Sequence, residues 1–392
     1  MTLTQEQKYK VLFIAKNIPV PGVLPSRVVI DIAHQLSDFA NVSFLYPKEI
    51  VPFGFHLLKK YKPFHQLQPW EYEGFQVDTV SYIRIPYRKM AFWLWNKLSK
   101  KSLTYYHNHG SFDLVHAHYL FPDGYLAYLY SRHFSIPYIV TIRNSDLVQL
   151  RNIKKNNPDF KKAQLIIQHA SKVLCLNRGY KDFMDNLFNI SAEIIPHGIE
   201  NNAFADDLSN PEKVIITTVA SAIKRKNIDW VIRAFNNYKG KQIIELNIAG
   251  SGPEIDNLQQ LANNDRRICF KGKIARSEVL NLLQKSDIFA LPSYDETYGL
   301  TYVEAAATHN AIIGLKNEGV WGVFKDKKEM YFCKDEVDFQ KMLHGLIDNP
   351  TARNALKDNA YSRAENLNWA IIKKQYQDAY QNAMENFQNR IT

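Results

Sequence analysis

The stretch Pro292–Ala307, PSYDETYGLTYVEAAA, places two glutamates eight positions apart around a glycine. Glu296 lies in a predicted loop after an apolar run, and Glu304 lies about one turn inside a predicted helix that begins near Gly299. The first amides of such a helix have no partner within the helix, so they can hydrogen-bond a phosphate. Carboxylates repel phosphate, so we expect the glutamates to accept hydrogen bonds from hydroxyl groups at either end of a phosphorylated ligand, such as a sugar and a ribose. Surface glutamates on an exposed helix would explain neither the glycine nor the apolar run.

Two other stretches carry groups that suit the same ligand. Lys224, Arg225 and Lys226 follow a predicted strand, and three cations at the end of a strand suit a diphosphate. A solvated basic turn is the alternative. Gly250 and Gly252, in NIAGSGPEIDNL, would let backbone amides approach a ligand, although a tight strand-to-helix turn explains them equally well.

The elements that would hold these residues are short apolar runs that alternate with helical patterns. Buried parallel strands have such sequences, because helices cover both faces of their sheet. We therefore predict an α/β protein with doubly wound parallel sheets, in which ligands bind at the carboxyl ends of the strands. The runs are Val11–Ala15, Asp113–Ala117, Tyr138–Ile142, Lys172–Leu176, Ala192–Pro196, Val214–Ala220, Ile244–Gly250, Arg267–Gly272, Asp287–Ser293 and Ala311–Leu315.

The polar stretch His197–Lys213 divides these runs into two series, and a chain of 392 residues is long for a single core. We predict an N-terminal domain over residues 1–205 and a C-terminal domain over residues 206–366. A charged, helix-like segment over residues 367–392 is expected to pack back towards the N-terminal domain.

The composition is that of a globular protein, with 46% hydrophobic and 13% aromatic residues. The polar start MTLTQEQKYK and the lack of a long apolar run predict neither a secretory signal nor a membrane-spanning helix. Cys175, Cys269 and Cys333 lie far apart in the sequence. They suit buried free thiols in a reducing cytosol better than a disulfide framework or a metal site.

The net charge of +10 is unevenly distributed. Residues 48–101 hold ten Lys and Arg, four Asp and Glu, and twelve aromatic residues. Such a segment suits nucleic acid, an anionic membrane surface or a negatively charged substrate, and charge alone does not choose among them. Its part Ile83–Ser102 either rests on an anionic membrane and receives a lipid-linked acceptor, or is an insertion whose aromatic side chains pack inward.

The second half of the chain resembles a retaining glycosyltransferase of family 4 (glycosyl transferases group 1). Its signature of two glutamates separated by seven residues is matched by Glu296 and Glu304. The resemblance continues, in the family's order, through KRKNIDWVIRAF, LNIAGSGPEIDNL and ICFKGKIARSEVLNLLQKSDIFALPS. In the first half FDLVHAHYLFPDG, IPYIVTIRNSD, ASKVLCLN and IIPHGIE resemble the strands of the family's acceptor domain. The resemblance implies the GT-B architecture, which has two Rossmann-like domains and a cleft between them.

The resemblance also implies roles on the donor side. Glu304 would bind the nucleotide ribose and Glu296 the hydroxyl groups of the donor sugar. Lys226 would neutralise the diphosphate, together with its neighbours Lys224 and Arg225. The start of the helix, at Gly299, Leu300 and Thr301, would also contact the diphosphate. The remaining donor-binding groups would be the turn Gly250–Gly252 and, in a glycine loop of the first domain, Gly22.

By the same resemblance, the catalytic groups are Glu296, Lys226 and His118, with no cofactor. The acceptor side would be formed by His118, Arg143 and Asp146. The chain has no Asp-x-Asp sequence, so cations and helix amides, rather than a metal, would stabilise the leaving diphosphate.

His116 and His118 alternate on one predicted strand, so their side chains face the same way. A two-histidine metal site would need a third ligand, and none is evident in the sequence. We therefore expect His118 to line the active site and expect no metal.

The chain departs from the family pattern at several positions. Ser221 stands where the family has an arginine, and Lys224 or Arg225 would supply the missing charge. Arg143 stands where the family has the histidine of T-x-H-G, and His197 stands where it has an asparagine. The usual G-x-P after the second glutamate is also replaced.

These expectations describe a cytoplasmic, metal-independent hexosyltransferase, with possible peripheral association at the inner face of the membrane. It would move a sugar from a nucleotide-sugar donor to a glycan or lipid-linked acceptor in polysaccharide, lipopolysaccharide or glycolipid synthesis. The alternatives are a nucleotide-sugar 2-epimerase of the same shape, a non-enzymatic protein that binds sugar nucleotides, and a nucleic-acid-binding protein. No nucleic-acid motif is recognised, so nucleic acid is not an expected partner.

Overall fold

The computed structural model describes residues 8–23, 26–50, 67–83 and 111–391. They form two compact units. The first contains the chain up to Cys175, Tyr180–Ile194 and the residues from Lys373 onward, and the second contains Leu176–Gly179 and Ile195–Ile372. The sequence analysis drew its domain boundary after residue 205, whereas the compact units change at residue 195. The reason is visible at Ile199, which is buried and exchanges backbone hydrogen bonds with Leu367 and Trp369 of the second unit.

In its described part, the first unit contains eight strands and five α-helices that precede its C-terminal segment. The strands are β1 (Tyr9–Ile14), β2 (Ala40–Ile50), β3 (Trp70–Tyr72), β4 (Phe75–Ile83), β5 (Leu114–Ala117), β6 (Tyr138–Ile142), β7 (Lys172–Cys175) and β8 (Glu193–Ile194). The helices are α1 (Val28–Leu36), α2 (Tyr125–Phe134), α3 (Asn144–Arg151), α4 (Pro158–His169) and α5 (Arg178–Phe188), the last of which begins in the second unit.

The sheet of the first unit has the strand order β3-β4-β2-β1-β5-β6-β7-β8. Every neighbouring pair is parallel except β3 and β4. The strands β1, β5 and β6 are fully buried apart from the first two residues of β1, because helices shield a parallel sheet on both faces.

The second unit alternates strands and helices with the same regularity. Its strands are β9 (Val214–Val219), β10 (Ile244–Ala249), β11 (Ile268–Gly272), β12 (Ile288–Leu291), β13 (Ala311–Leu315) and β14 (Tyr331–Cys333). Its helices are α6 (Ile228–Asn236), α7 (Ile255–Ala262), α8 (Arg276–Gln284), α9 (Leu300–Ala307), α10 (Glu336–Asp348) and α11 (Pro350–Glu365), and the chain then continues into α12 (Trp369–Ile391).

The second sheet is parallel throughout, with the order β11-β10-β9-β12-β13-β14. It starts at β9 in the middle, extends to one side through β10 and β11, and then extends to the other side through β12 to β14. This is the doubly wound arrangement, with its switch point between β9 and β12. The first sheet reverses in the same way between β1 and β5.

All ten predicted apolar runs are strands in the structure, and the predicted helix near Gly299 begins at Leu300. The sequence analysis missed β2, β3, β4 and β14. In β2, ANVSFLYPKEI, and β4, FQVDTVSYI, polar residues interrupt the apolar pattern, and β3 and β14 have only three residues each. None of these four strands therefore has a continuous apolar run.

Cys175 and Cys333 are buried free thiols, and Cys269 is a free thiol of intermediate exposure. Of the basic, aromatic-rich segment 48–101, the structure describes only residues 48–50 and 67–83, so the proposed membrane-facing part Ile83–Ser102 lies almost wholly outside the described residues. Within the described ranges, the helices are too short or too polar to cross a bilayer.

Candidate functional site

The predicted donor-side residues lie at the switch point of the second sheet. β9 and β12 are neighbours in the sheet. The strand that follows β9 in the sequence, β10, lies on the side of β9 away from β12, and the strand that follows β12, β13, lies on the side of β12 away from β9. Loops that leave two such strands at their carboxyl ends diverge, and α/β proteins bind ligands in the crevice that results. Lys226 follows β9 and Glu296 follows β12, so the strand order brings the two side chains together.

Lys226 and Glu296 form a buried ion pair. The Lys226 ammonium contacts Glu296 Oε2, and the same oxygen accepts a hydrogen bond from Ser293 Oγ at 3.0 Å. The two residues are 9% and 7% exposed. From the sequence, Lys226 was expected to contact the diphosphate and Glu296 the donor sugar, and the ion pair between them was not predicted. Each charge is balanced by the other, so the crevice does not contain a bare cation at this position.

The other two cations of the basic turn do not share this burial. Lys224–Lys226 form one 3₁₀ turn, in which Lys224 is exposed. Arg225 Nη1 donates to the carbonyl of Asp295 at 3.1 Å. Arg225 therefore links the turn after β9 to the loop after β12. Ser221, at the position of the family's arginine, is exposed.

The loop that carries Glu296 is held by residues that sequence reasoning missed. The Glu296 amide donates to Glu318 Oε2 at 3.0 Å, and the Gly319 amide donates to the Glu296 carbonyl at 3.3 Å. Asn177 Nδ2 donates to the carbonyls of Gly319, at 2.6 Å, and Thr297, at 3.2 Å. The sequence signal for Glu318 as a partner of this loop is its position after β13, because the exits of β12 and β13 lie at the same edge of the sheet.

The start of α9 presents unpaired backbone amides. Gly299 precedes the helix with φ +79°, and a Cβ at this position would lie 2.5 Å from the ring of Tyr302. Glycine is therefore required by both conformation and packing. The amides of Leu300 and Thr301 have no hydrogen-bond partner among the described residues. They are the donors that a helix start offers to an anion.

Glu304 lies on α9 with its carboxylate buried and paired. Arg276 Nε, from the first residue of α8, donates to Glu304 Oε1 at 3.0 Å. Burial raises the pKa of Glu304 above its ordinary value, and the charge of Arg276 opposes that rise. The sequence analysis expected Glu304 near the helix start but missed Arg276.

Gly250 and Gly252 are explained by the packing of two strand exits. A Cβ at Gly250, where φ is +138°, would lie 1.8 Å from the Ala220 carbonyl oxygen. A Cβ at Gly252 would lie 2.4 Å from the Ala222 carbonyl oxygen. The exits of β9 and β10 therefore pack backbone against backbone, which requires both glycines whether or not a ligand touches them. Their contact with a nucleotide stays a prediction.

The predicted acceptor-side residues lie in the first unit, after β5 and β6. Arg143 Nε donates to the His118 carbonyl at 3.0 Å, and Arg143 Nη2 lies 3.4 Å from His118 Nδ1. Asp146 accepts the amides of Arg143, at 2.9 Å, and Leu120, at 3.0 Å. The guanidinium also lies over the ring of Tyr119. The structure thus brings together all three residues that the resemblance assigned to the acceptor side.

His116 and His118 stack with their ring centroids 4.2 Å apart, as expected from their alternation. Both nitrogens of His116 have protein partners, since Nδ1 lies 2.8 Å from the hydroxyl of Tyr380 and Nε2 lies 2.7 Å from Thr141 Oγ1. Neither nitrogen is available to a metal. The described part of the chain contains no group of three or more His, Cys, Asp and Glu that could hold a metal ion.

The exit of β1 meets the same region of the first unit. Asn17 Nδ2 donates to the Tyr119 hydroxyl at 2.9 Å, and the Lys16 amide donates to Asp123 Oδ2 at 3.2 Å. Asp123 is fully buried and was missed by the sequence analysis. Gly22 lies further along this exit with φ +80°, in a tight turn closed by two hydrogen bonds between Val20 and Val23. Its closure over a donor stays a prediction.

Two family models match successive parts of the chain. "Glycosyltransferase Family 4" matches residues 26–202, and "Glycosyl transferases group 1" matches residues 200–363. The chain belongs to glycosyltransferase family 4. The resemblance seen in the sequence is thereby confirmed, and the family is that of the GT-B glycosyltransferases.

Individual family 4 relatives and solved structures agree. The alpha-monoglucosyldiacylglycerol synthase of Streptococcus pneumoniae is 25% identical over 327 residues, which cover 76% of this chain and 73% of that protein. The sucrose-phosphate synthase from Thermosynechococcus elongatus has a similar fold, with a TM-score of 0.70 and 16% identity over 95% of this chain and 98% of that chain. Anabaena HepE, in a crystal structure with UDP-glucose, has a TM-score of 0.65 and 14% identity over 95% and 99% of the two chains. The predicted GT-B fold is confirmed.

Gly250→Ala should destabilise the second unit by at least about 3 kcal/mol. The added methyl group would clash with the Ala220 carbonyl oxygen, and the φ of +138° at this position is unfavourable for alanine. Gly345→Ala is the control, since its Cβ would meet no atom within 4 Å and alanine is preferred inside a helix by about 0.5–1 kcal/mol. Urea unfolding of both variants gives the comparison. Wild-type stability in Gly250→Ala would show that the backbone-packing explanation is wrong.

His118 should stay neutral as the pH falls through 6.5, the ordinary pKa of histidine, to 5. Its pKa lies well below that value because of burial first, then the charges of His116 and Arg143. Nitrogen NMR of the imidazole measures the protonation state directly, and the same protein unfolded in urea is the control, in which histidine titrates near 6.5. Protonation of folded His118 above pH 6 would contradict the buried geometry.

Proposed function

We propose that this protein is a retaining, metal-independent hexosyltransferase that moves a sugar from a nucleotide-sugar donor to a glycan or lipid-linked acceptor. The observation that carries the proposal is the switch point of the second sheet. There a buried lysine, two buried glutamates and two unpaired helix amides converge. Such a set of groups suits a ligand with a diphosphate in the middle and hydroxyl groups at both ends.

The reaction breaks the bond between the sugar and the diphosphate. Positive charge develops on the sugar and negative charge on the leaving diphosphate. Cations and oriented amides stabilise such a leaving group when they are in place before the reaction starts. Lys226 and the amides of Leu300 and Thr301 would fill this role, without a metal.

The ion pair between Lys226 and Glu296 has a consequence for the order of events. A diphosphate oxygen that approaches Lys226 competes with the Glu296 carboxylate for the ammonium. Sugar hydroxyl groups that approach Glu296 replace the ammonium with neutral donors. Donor binding would therefore separate the pair, and each charge would gain the ligand partner that suits it.

Glu304 would hold the opposite end of the donor. Its carboxylate is fixed by Arg276 Nε through Oε1, which leaves Oε2 to accept hydrogen bonds from the ribose hydroxyl groups. Glu304 itself is buried, and burial strengthens a charged hydrogen bond to its carboxylate.

The names of related proteins are consistent with this class of reaction. The pneumococcal relative is a synthase of a glucosylated diacylglycerol, and the HepE structure contains UDP-glucose. A solved structure of similar fold is the lipopolysaccharide outer core galactosyltransferase WaaB, at 13% identity and a TM-score of 0.67 over 94% of this chain and 98% of that chain. We propose a role in cell-surface polysaccharide, lipopolysaccharide or glycolipid synthesis on this basis.

The first experiment is a thermal-shift and calorimetric panel of nucleotide sugars with the full chain. A nucleotide sugar should raise the melting temperature and bind without added metal, in the presence of a chelator. Conversion of a nucleotide sugar to its epimer without any acceptor would identify a 2-epimerase instead. Failure of every nucleotide sugar to bind would overturn the proposal.

Two substitutions test the assignment of the donor site. Glu304→Ala should weaken nucleotide binding about 10- to 100-fold, because a charged hydrogen bond is worth about 1.5–3 kcal/mol. Lys226→Ala should lower kcat about 100- to 1000-fold, as the loss of a leaving-group stabiliser does. Calorimetry and steady-state kinetics measure the two effects. Glu212→Ala, at an exposed position of the second unit, is the control, and wild-type behaviour of the first two variants would contradict the assignment.

A further inference from the structure

Arg143 is an almost completely buried guanidinium without a carboxylate partner. It is 5% exposed. Its Nε donates to the His118 carbonyl and its Nη2 faces His118 Nδ1. Among the described residues, these two contacts use two of the five N–H groups of the guanidinium. Across the described ranges, no carboxylate forms an ion pair with it. A buried charge of this kind is costly unless a ligand of opposite charge completes the site.

The two nearest buried carboxyl groups are turned towards backbone amides. Asp146 uses its two oxygens for the amides of Leu120 and Arg143. Asp123 Oδ2 accepts the amide of Lys16. Burial raises the pKa of Asp146 to about 7 and the pKa of Asp123 well above its ordinary value. Burial thus disfavours the charged form of both carboxyl groups, the charge of Arg143 opposes this effect, and neither group forms an ion pair with the guanidinium among the described residues.

The direction of the contact with His118 fixes which ring nitrogen carries the proton. A guanidinium only donates hydrogen bonds, so His118 Nδ1 must accept from Arg143. The neutral imidazole then carries its proton on Nε2. This nitrogen is fully buried and has no hydrogen-bond partner in the described structure. An unused N–H donor thus lies on the histidine that Arg143 contacts.

The unsatisfied groups at this place are therefore donors. They are the remaining N–H groups of Arg143 and the Nε2–H of His118. The third unsatisfied atom is Asp123 Oδ1, and burial raises the pKa of this carboxyl group well above its ordinary value, which favours its neutral form. The residues follow β5 and β6, beside the exit of β1, at the switch point of the first sheet. A set of donors around one cation matches a ligand group that has only acceptors and carries negative charge.

We propose that the first unit binds its acceptor through an anionic oxygen group, phosphoryl or carboxylate, which Arg143 and His118 Nε2–H hold together. The inference rests on the proposed glycosyltransferase function and names the chemical class of the acceptor. A neutral sugar or a diacylglycerol would leave the buried guanidinium uncompensated. An acceptor with a phosphate or carboxylate near the attacking hydroxyl group supplies the missing charge.

The experiment uses the full chain loaded with saturating UDP, so that the donor site is occupied. Calorimetry then measures the binding of glycerol 3-phosphate, malate and dihexanoyl phosphatidic acid, with glycerol as the neutral probe. The anionic probes should bind and glycerol should not. A preference for the phosphatidic acid identifies a lipid-linked source of the phosphoryl group, and a preference for glycerol 3-phosphate or malate identifies a water-soluble acceptor.

Arg143→Gln should weaken binding of the preferred anion at least tenfold, and Arg143→Lys should recover part of the loss. Arg132→Gln, at an exposed position on α2, is the control and should bind like the wild type. Equal binding by Arg143→Gln, or no binding of any anionic probe to the wild type, would overturn the proposal.

Two further readouts separate this proposal from a loss of folding and from the proposed function. In the wild type, the anionic probe should shift the NMR signals of the Arg143 Nε–H and the His118 Nε2–H, and unshifted signals would count against the site even if Arg143→Gln does not fold. UDP binding by Arg143→Gln should match the wild type. If UDP does not bind the wild type, the nucleoside diphosphate of the donor that binds in the panel replaces it. If no nucleotide sugar in the panel binds, the donor assignment fails, and titration without a nucleotide still decides whether Arg143 binds anions.

Discussion

The donor-side crevice depends on a pair of opposite charges that have been removed from water. Lys226 and Glu296 come from loops after different strands, and both charges are buried. Removal of one partner of such a pair costs about 3–5 kcal/mol, because the remaining charge stays buried. The pair therefore fixes the distance between the exits of β9 and β12. Ser293 and Glu318 add hydrogen bonds that hold the Glu296 loop in the same place.

Among the described residues of the second unit's crevice, Glu296, Glu304 and Glu318 each have a protein partner, whereas two helix amides have none. Glu296 is paired with Lys226, Glu304 with Arg276, and Glu318 with the amide of Glu296. The amides of Leu300 and Thr301 remain open to a ligand. Internal pairing of the acids lowers their repulsion of an incoming anion, so a crevice with several carboxylates is still compatible with a diphosphate. In the first unit, burial raises the pKa of Asp123 and Asp146 beside Arg143, which also lowers their repulsion of an anion.

The sequence predicted the parts of the fold that follow from short-range patterns. The central strands have continuous apolar runs because helices cover both of their faces, and Gly299 marks the start of α9. The strands β2 and β4 were missed because their polar residues break the pattern. The partners of the site residues were also missed. Arg276 lies 28 residues from Glu304 and Glu318 lies 22 residues from Glu296, and no local pattern encodes contacts that only the order of strands in the sheet creates.

The helix α12 completes the first unit with residues that follow the whole second unit in the sequence. Tyr380, on α12, is buried against Phe39 and hydrogen-bonds His116 on β5, two residues before His118. During synthesis on the ribosome, residues 195–372 emerge before this tyrosine does. Domains usually fold in the order of their synthesis, the N-terminal one first. Here the buried hydroxyl partner of His116 is synthesised only after residues 195–372 of the second unit.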